Sequence, residues 1–114
     1  MSKQTNQYKM KTFKNQQTSI TIGVEGTKEV KKMTYADLAS LTLNIPPHGG
    51  WTKDEMKIRI KIESKLEKLD VDESVELEDA EFAKVLEGSN QPWQFKHKDL
   101  IAYMDDLEAG NKEE

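Results

Sequence analysis

PPHGGWTKDEMKIRIKIESKLEKL, residues 46–69, decides the fold, because it holds the sharpest break in the chain and, directly after it, the best-signalled helix. Two prolines and the Gly49-Gly50 pair stop whatever precedes them and reverse the chain. Thr52 is followed three residues later by Glu55, the spacing at which a hydroxyl and a carboxylate each satisfy an unpaired amide of a first helical turn. Trp51 before this cap and Met56 after it stand where a hydrophobic staple would form. Ile58, Ile62, Leu66 and Leu69 then recur at spacings of four, four and three, one stripe of a 3.6-residue helix that must be buried. Met56 and Ile60 lie on roughly the opposite side, so the first half of this helix is expected to pack between neighbours on two faces. Met56, Ile58, Ile60 and Ile62 also alternate with charged residues as a strand would, but the cap and the pattern beyond Ile62 fit only a helix.

Upstream, Thr34 and Asp37 repeat the cap spacing, with Met33 and Leu38 as a staple, and start a helix over residues 34–44. Its expected apolar face is Tyr35, Leu38, Leu41 and Ile45, and it stops before Pro46, since the residue preceding a proline is pushed out of the α region. So short a connection predicts that the two helices pack antiparallel. Earlier still, Ile20, Ile22 and Val24 alternate with Thr21 and Gly23 as in a half-buried strand, and Glu25-Gly26 turns the chain into a second strand over residues 28–33. Residues 8–13 are a further strand candidate, with Asn15-Gln16-Gln17 as its turn, and the polar residues 1–7 read as disordered. An isolated hairpin is marginal in water, so these strands need the helical body or another subunit to cover their apolar side.

Downstream of the central helix comes an acidic linker, residues 70–81, and then a short helix near residues 80–87 with Phe82, Val85 and Leu86 inward and Gly88 just past its end. Trp93 and Phe95 alternate inward in the following extended segment. The last helix, residues 98–109, carries Leu100, Ile101, Met104 and Leu107 at helical spacing and ends at Gly110, leaving a mobile tail over residues 110–114.

The 114 residues and 13.1 kDa suffice for one domain with one core. There is no cysteine, which excludes disulfides, thiolate metal sites and cysteine nucleophiles. No apolar run approaches a membrane span or a signal-peptide core, so a soluble, cytoplasmic protein is expected. The net charge of −4 is unevenly spread: residues 1–33 hold seven lysines against Glu25 and Glu29, while residues 34–114 hold ten basic and nineteen acidic side chains. A basic head on an acidic body marks either a nucleic-acid-binding arm or an arm that docks on an acidic surface of its own kind.

Four constellations bear on chemistry. Asp70, Asp72, Ser74, Glu78 and Glu81 fall at positions one, three, five, nine and twelve of an EF-hand loop, but Val75 stands at position six, where a sharp turn calls for glycine. A β-branched residue resists positive φ, so a solvated acidic linker is preferred to a calcium site. Lys57, Lys61, Lys65 and Lys68 form a basic stripe that could meet phosphates, although charges on a helix face usually just solvate it, and Arg59 is the only arginine available to read a base edge. His48 and His97, the only histidines, have no catalytic partner at a recognisable spacing; His97 fits a cap of the last helix. Trp51, Trp93, Phe82 and Tyr103 read as core anchors, each lying within an apolar pattern.

The order helix, PPHGGWTKDEM, long charged helix, VELEDAEFAKVL, tryptophan and KDLIAYMDDLE, over residues 34–109, resembles a class of small proteins encoded in bacteriophage and prophage genomes. The resemblance implies a compact helical phage accessory protein, sited in the host cytoplasm or the virion, and transfers no functional residue.

The expectation is an α+β, mainly α chain: a basic N-terminal β arm or hairpin over residues 1–33, partly disordered, followed by a compact four-helix domain over residues 34–109. Its expected function is that of a non-enzymatic protein-interaction or assembly module needing no cofactor or metal, with Ile20, Ile22, Val24, Lys28, Lys31 and Lys32 of the arm meeting a protein partner or a second copy. The alternatives are a nucleic-acid-binding regulator using the basic arm, and a calcium-binding helix-loop-helix.

Overall fold

The computed structural model describes residues 10–112, within which lie four strands and four helices: β1 (Met10–Lys14), β2 (Gln17–Gly23), β3 (Val30–Thr34), α1 (Tyr35–Leu43), α2 (Lys53–Leu66), β4 (Ser74–Glu78), α3 (Asp79–Ser89) and α4 (Lys98–Lys112). The strands form two antiparallel pairs, β1 with β4 and β2 with β3. The hairpin expected around Glu25-Gly26 is present, turned by Gly26 at φ +82°. The expected partnership of the first strand is not. Asn15 and Gln16 do not turn β1 onto β2; β1 instead crosses the molecule to pair with β4 in the register Met10↔Glu78 to Lys14↔Ser74. That strand candidate covered residues 8–13, of which residues 8 and 9, like residues 1–7 and 113–114, lie outside the described part.

This pairing corrects the picture of the acidic segment. Residues 74–78 are a strand whose Val75, opposite Phe13, and Leu77, opposite Lys11, are buried in the core, and the positive φ of the segment belongs to Asp72, at +75°, not to Val75. It also corrects the separation of arm and body. Phe13 packs edge-on against Phe82 of α3 at 6.3 Å between ring centres, and Phe13, Ile20 and Met33 belong to one core with Leu38, Ile62 and Leu107.

Helices α1, α2 and α4 begin where their caps placed them, and α3 begins at Asp79, after Glu78. Thr34 and Asp37 form a complete capping box for α1, and Thr52 Oγ1 accepts from the Glu55 amide for α2. The reciprocal half at α2 is missing, because the Glu55 carboxylate turns outward to Arg59 and Lys84, each at 3.0 Å. His97 caps α4, its Nδ1 accepting from the Asp99 amide at 3.0 Å. α4 runs on through Gly110, so Asn111 and Lys112 are helical and no mobile tail begins at 110. Gly88 likewise sits inside α3 and not past its end.

The stripe of α2 is buried at Ile62 and Leu66 and half-buried at Ile58 and Leu69. Its second apolar face is not covered: Ile60 is 59% exposed, and Met56 and Trp51 are exposed with it. In α1 the inward positions are Tyr35, Leu38, Ala39 and Leu43, while Leu41 and Ile45, expected inward, face out. Ile101 of α4, at 61% exposure, departs from expectation in the same way, as does Phe95.

Candidate interaction surface

Several exposed apolar residues, among them Leu41, Ile45, Ile22 and Phe95, lie around α1. Leu41, Thr42 and Ile45, Gly88 of α3 and the segment 91–95 line a cleft of about 180 Å³. Trp93 forms its inner wall, held by a hydrogen bond from its Nε1 to the Ser89 carbonyl at 2.9 Å and by edge contacts with Phe95 and Tyr103. α3 approaches α1 closely enough here that a Cβ on Gly88 would lie 3.2 Å from Thr42 Cβ. An apolar cavity of about 150 Å³ accepts a benzene ring, so this cleft suits one aromatic or branched aliphatic side chain.

Leu41 also borders a second depression, between Ser40 and Asn44 of α1 and Ile22, Lys31 and Met33 of the hairpin. Asn44 in turn borders a third, lined by Trp51, Met56 and Ile60. The three depressions therefore adjoin along one edge of α1. Arg59 stiffens the third: its guanidinium stacks over Trp51 at 5.0 Å and donates to the Leu43 and Ile45 carbonyls at 3.2 and 2.8 Å, satisfying the end of α1. Beside its i,i+4 pair with Glu55, Arg59 thus joins two helices.

The residues expected to meet a partner divide. Ile20 is buried in the core and offers nothing to a second molecule. Ile22, Val24, Lys28, Lys31 and Lys32 are exposed on the outer half of the hairpin. Lys31 pairs with Ile22 and Lys32 with Thr21, adjacent ladder positions whose side chains point to opposite faces, so these two lysines do not share a stripe. Lys11 and Lys14 stand 3.9 Å from Asp79 and Asp72. The attraction of the basic arm to the acidic segment is therefore already met within one chain, where β1 lies on β4. On α2, Lys61 and Lys65 face Glu81, at 3.6 and 2.7 Å, which breaks the basic stripe in its middle.

Among the described titrating groups displaced from their ordinary values, Tyr35 and Tyr103 meet edge-on at 5.1 Å between ring centres, and the others lie apart. Burial pushes Tyr35 and Tyr103 up, Tyr35 further so through its bond to Asp106 at 2.7 Å. The Lys84 bond, with Arg59 beside it, holds Glu55 down, and the Ser19 amide and hydroxyl hold Asp99 down. Each has a structural partner, and none faces another across a cleft as acid and base would. Among the described residues no three of His, Asp and Glu come together as a metal site. No described helix is long and apolar enough to cross a membrane. No protein-family model, curated protein or solved structure matches the chain.

Proposed function

We propose that the chain is a non-enzymatic interaction or assembly module, of the accessory or structural kind that its resemblance to small phage-encoded proteins implies, acting in the host cytoplasm or the virion. The observation that supports this reading is the exposure of Leu41, at 41%, where the apolar cleft and the hairpin groove adjoin. Scattered surface leucines need no explanation, but contiguous apolar depressions rimmed by polar residues mark surfaces that meet other proteins. The cleft supplies a pocket for one anchoring side chain, and the exposed Ile22, Ile45 and Phe95 supply apolar contact around it. A nucleic-acid-binding regulator draws less support, because its lysines are split between two faces of β3 and partly paired with Glu81, Asp72 and Asp79. A calcium-binding helix-loop-helix draws less still, because loop positions five to nine form β4.

Affinity capture from bacterial host extract, treated with nuclease, tests the reading. Wild-type protein is expected to retain specific proteins, and Leu41→Lys, with an unchanged melting temperature, to lose them. Equal capture by both forms, or capture abolished by nuclease, overturns it.

A further inference from the structure

We infer that the free edge of β2 pairs with the same edge of a second copy of this chain, joining two hairpins into one four-stranded antiparallel sheet. The inference rests on the interaction-module reading and specifies one partner for it.

Among the described residues the sheet of β2 and β3 has two strands, so one side of β2 has no described strand beside it. The parity of the backbone identifies the groups on that side. The Val24 amide donates to the Glu29 carbonyl at 2.9 Å inside the hairpin, and backbone groups alternate along a strand, so Gly23 and Thr21 direct their N–H and C=O outward. Ser19 agrees, for its amide and hydroxyl both donate to Asp99 Oδ2 at 2.8 Å, away from β3. Asp99 thus plugs the inner end of the edge and leaves Thr21 and Gly23 open.

Natural edge strands are guarded by lysines, inward-pointing charges or prolines. Residues 17–24, QTSITIGV, contain none of these. The edge of β3 carries Lys31 and Lys32, and two copies meeting there would set like charges against one another. A neutral strand is compatible with its own twofold copy, because each outward amide meets an outward carbonyl of the antiparallel mate. The charge pattern therefore selects β2 over β3, and a second copy over a strand that needs a charged complement. The pairing also brings two exposed Ile22 side chains onto one face and gives a marginal two-stranded sheet the extra strands it lacks.

Sedimentation equilibrium of the full chain over a concentration series tests this, with Gly23→Pro, Thr21→Pro and Leu41→Lys beside the wild type. Proline at 21 or 23 removes an amide that the hairpin does not use, so it blocks the edge and keeps the internal ladder. The wild-type mass is expected to climb from 13.1 kDa toward twice that value. Each proline is expected to weaken association by about tenfold or more, through the loss of outward hydrogen bonds, with its melting temperature retained. Leu41→Lys is expected to associate like the wild type. A wild type that stays at the single-chain mass, prolines that associate as readily as the wild type, or prolines that unfold the hairpin and so place those amides inside it, each overturn the pairing. Prolines without effect, alongside capture lost in Leu41→Lys, defeat the pairing alone; capture retained in Leu41→Lys defeats the module reading alone.

Discussion

The side-chain oxygen of Asn15 accepts a hydrogen bond from the amide of Ala36 at 2.8 Å, so a residue between two strands caps the first helix. Asn15 is buried, its Nδ2 reaches the Asp70 carbonyl at 3.3 Å, its amide donates to the Glu73 carbonyl and its carbonyl accepts from the Asp72 amide, at the turn before β4. It ties both sheets and α1 together at one point. Asn15→Leu, similar in size, leaves the Ala36 amide without a partner and is expected to cost about 1–3 kcal/mol for that orphaned group. Urea denaturation measures it, and an unchanged midpoint would mean that the junction is dispensable.

A second buried junction governs the acid limit of stability. Glu81, 2% exposed, accepts from Lys65 at 2.7 Å and from the Glu78 amide at 2.9 Å, while its Oε2 takes no hydrogen bond from the described residues and faces the Lys61 ammonium at 3.6 Å. Burial pushes this carboxyl up, but the Lys65 and Glu78 bonds and the two ammonium charges outweigh it, so the net displacement is downward. The folded protein then binds fewer protons than the unfolded chain, and stability from Glu81 is complete above the ordinary glutamate value of 4.5 and lost as pH falls below it. Glu81→Gln is expected to lower stability at neutral pH by about 1–3 kcal/mol and to flatten its decline in acid. Thermal melts from pH 7 to pH 3 check this; parallel curves for the two proteins would refute the assignment.

Gly110 lies inside α4 because β1 runs against it. A Cβ there would sit 2.8 Å from the Thr12 carbonyl oxygen and 3.2 Å from Phe82 Cζ, and a backbone atom cannot step aside. Alanine normally gains about 1 kcal/mol over glycine within a helix, but overpacking costs about 1–3 kcal/mol. Gly110→Ala is therefore expected to lower the melting temperature. A higher one would show that α4 and β1 do not touch here.

The two faces of α2 offer a paired measurement. Ile62→Ala is expected to cost about 2–5 kcal/mol, as for other buried aliphatic truncations. Ile60→Ala, at 59% exposure, is expected to stay within about 0.5 kcal/mol. Denaturant melts in which the two losses are equal would mean that α2 is rotated about its axis.

Local signals legible in the sequence concern caps, turns and periodicity. Thr34 with Asp37, Thr52 with the Glu55 amide, His97 at the head of α4 and Gly26 in the hairpin act over three residues or fewer, so their neighbours along the chain are also their neighbours in space. The stripe through Ile62 and Leu66 was legible for the same reason, since one helix face is set by its own period.

Which apolar residues are covered is a property of the neighbours, and no local pattern reports it. Leu41, Ile60 and Ile101 carry the helical period but stay largely exposed, and the exposure of Leu41 and Ile60, with Ile45 beside them, is what makes the α1 edge a candidate surface. The pairing of β1 with β4 joins residues 60 to 68 positions apart, across β2, β3, α1 and α2, and it alone turns Asn15 from a turn residue into a buried junction and Gly110 from a stop signal into a point of close approach. The charge asymmetry was plain in the sequence, but its partner was decided in three dimensions: part of the basic head lies against the acidic segment of the same chain, because strand pairing and core burial at Phe13 bring Lys11 and Lys14 beside Asp79 and Asp72.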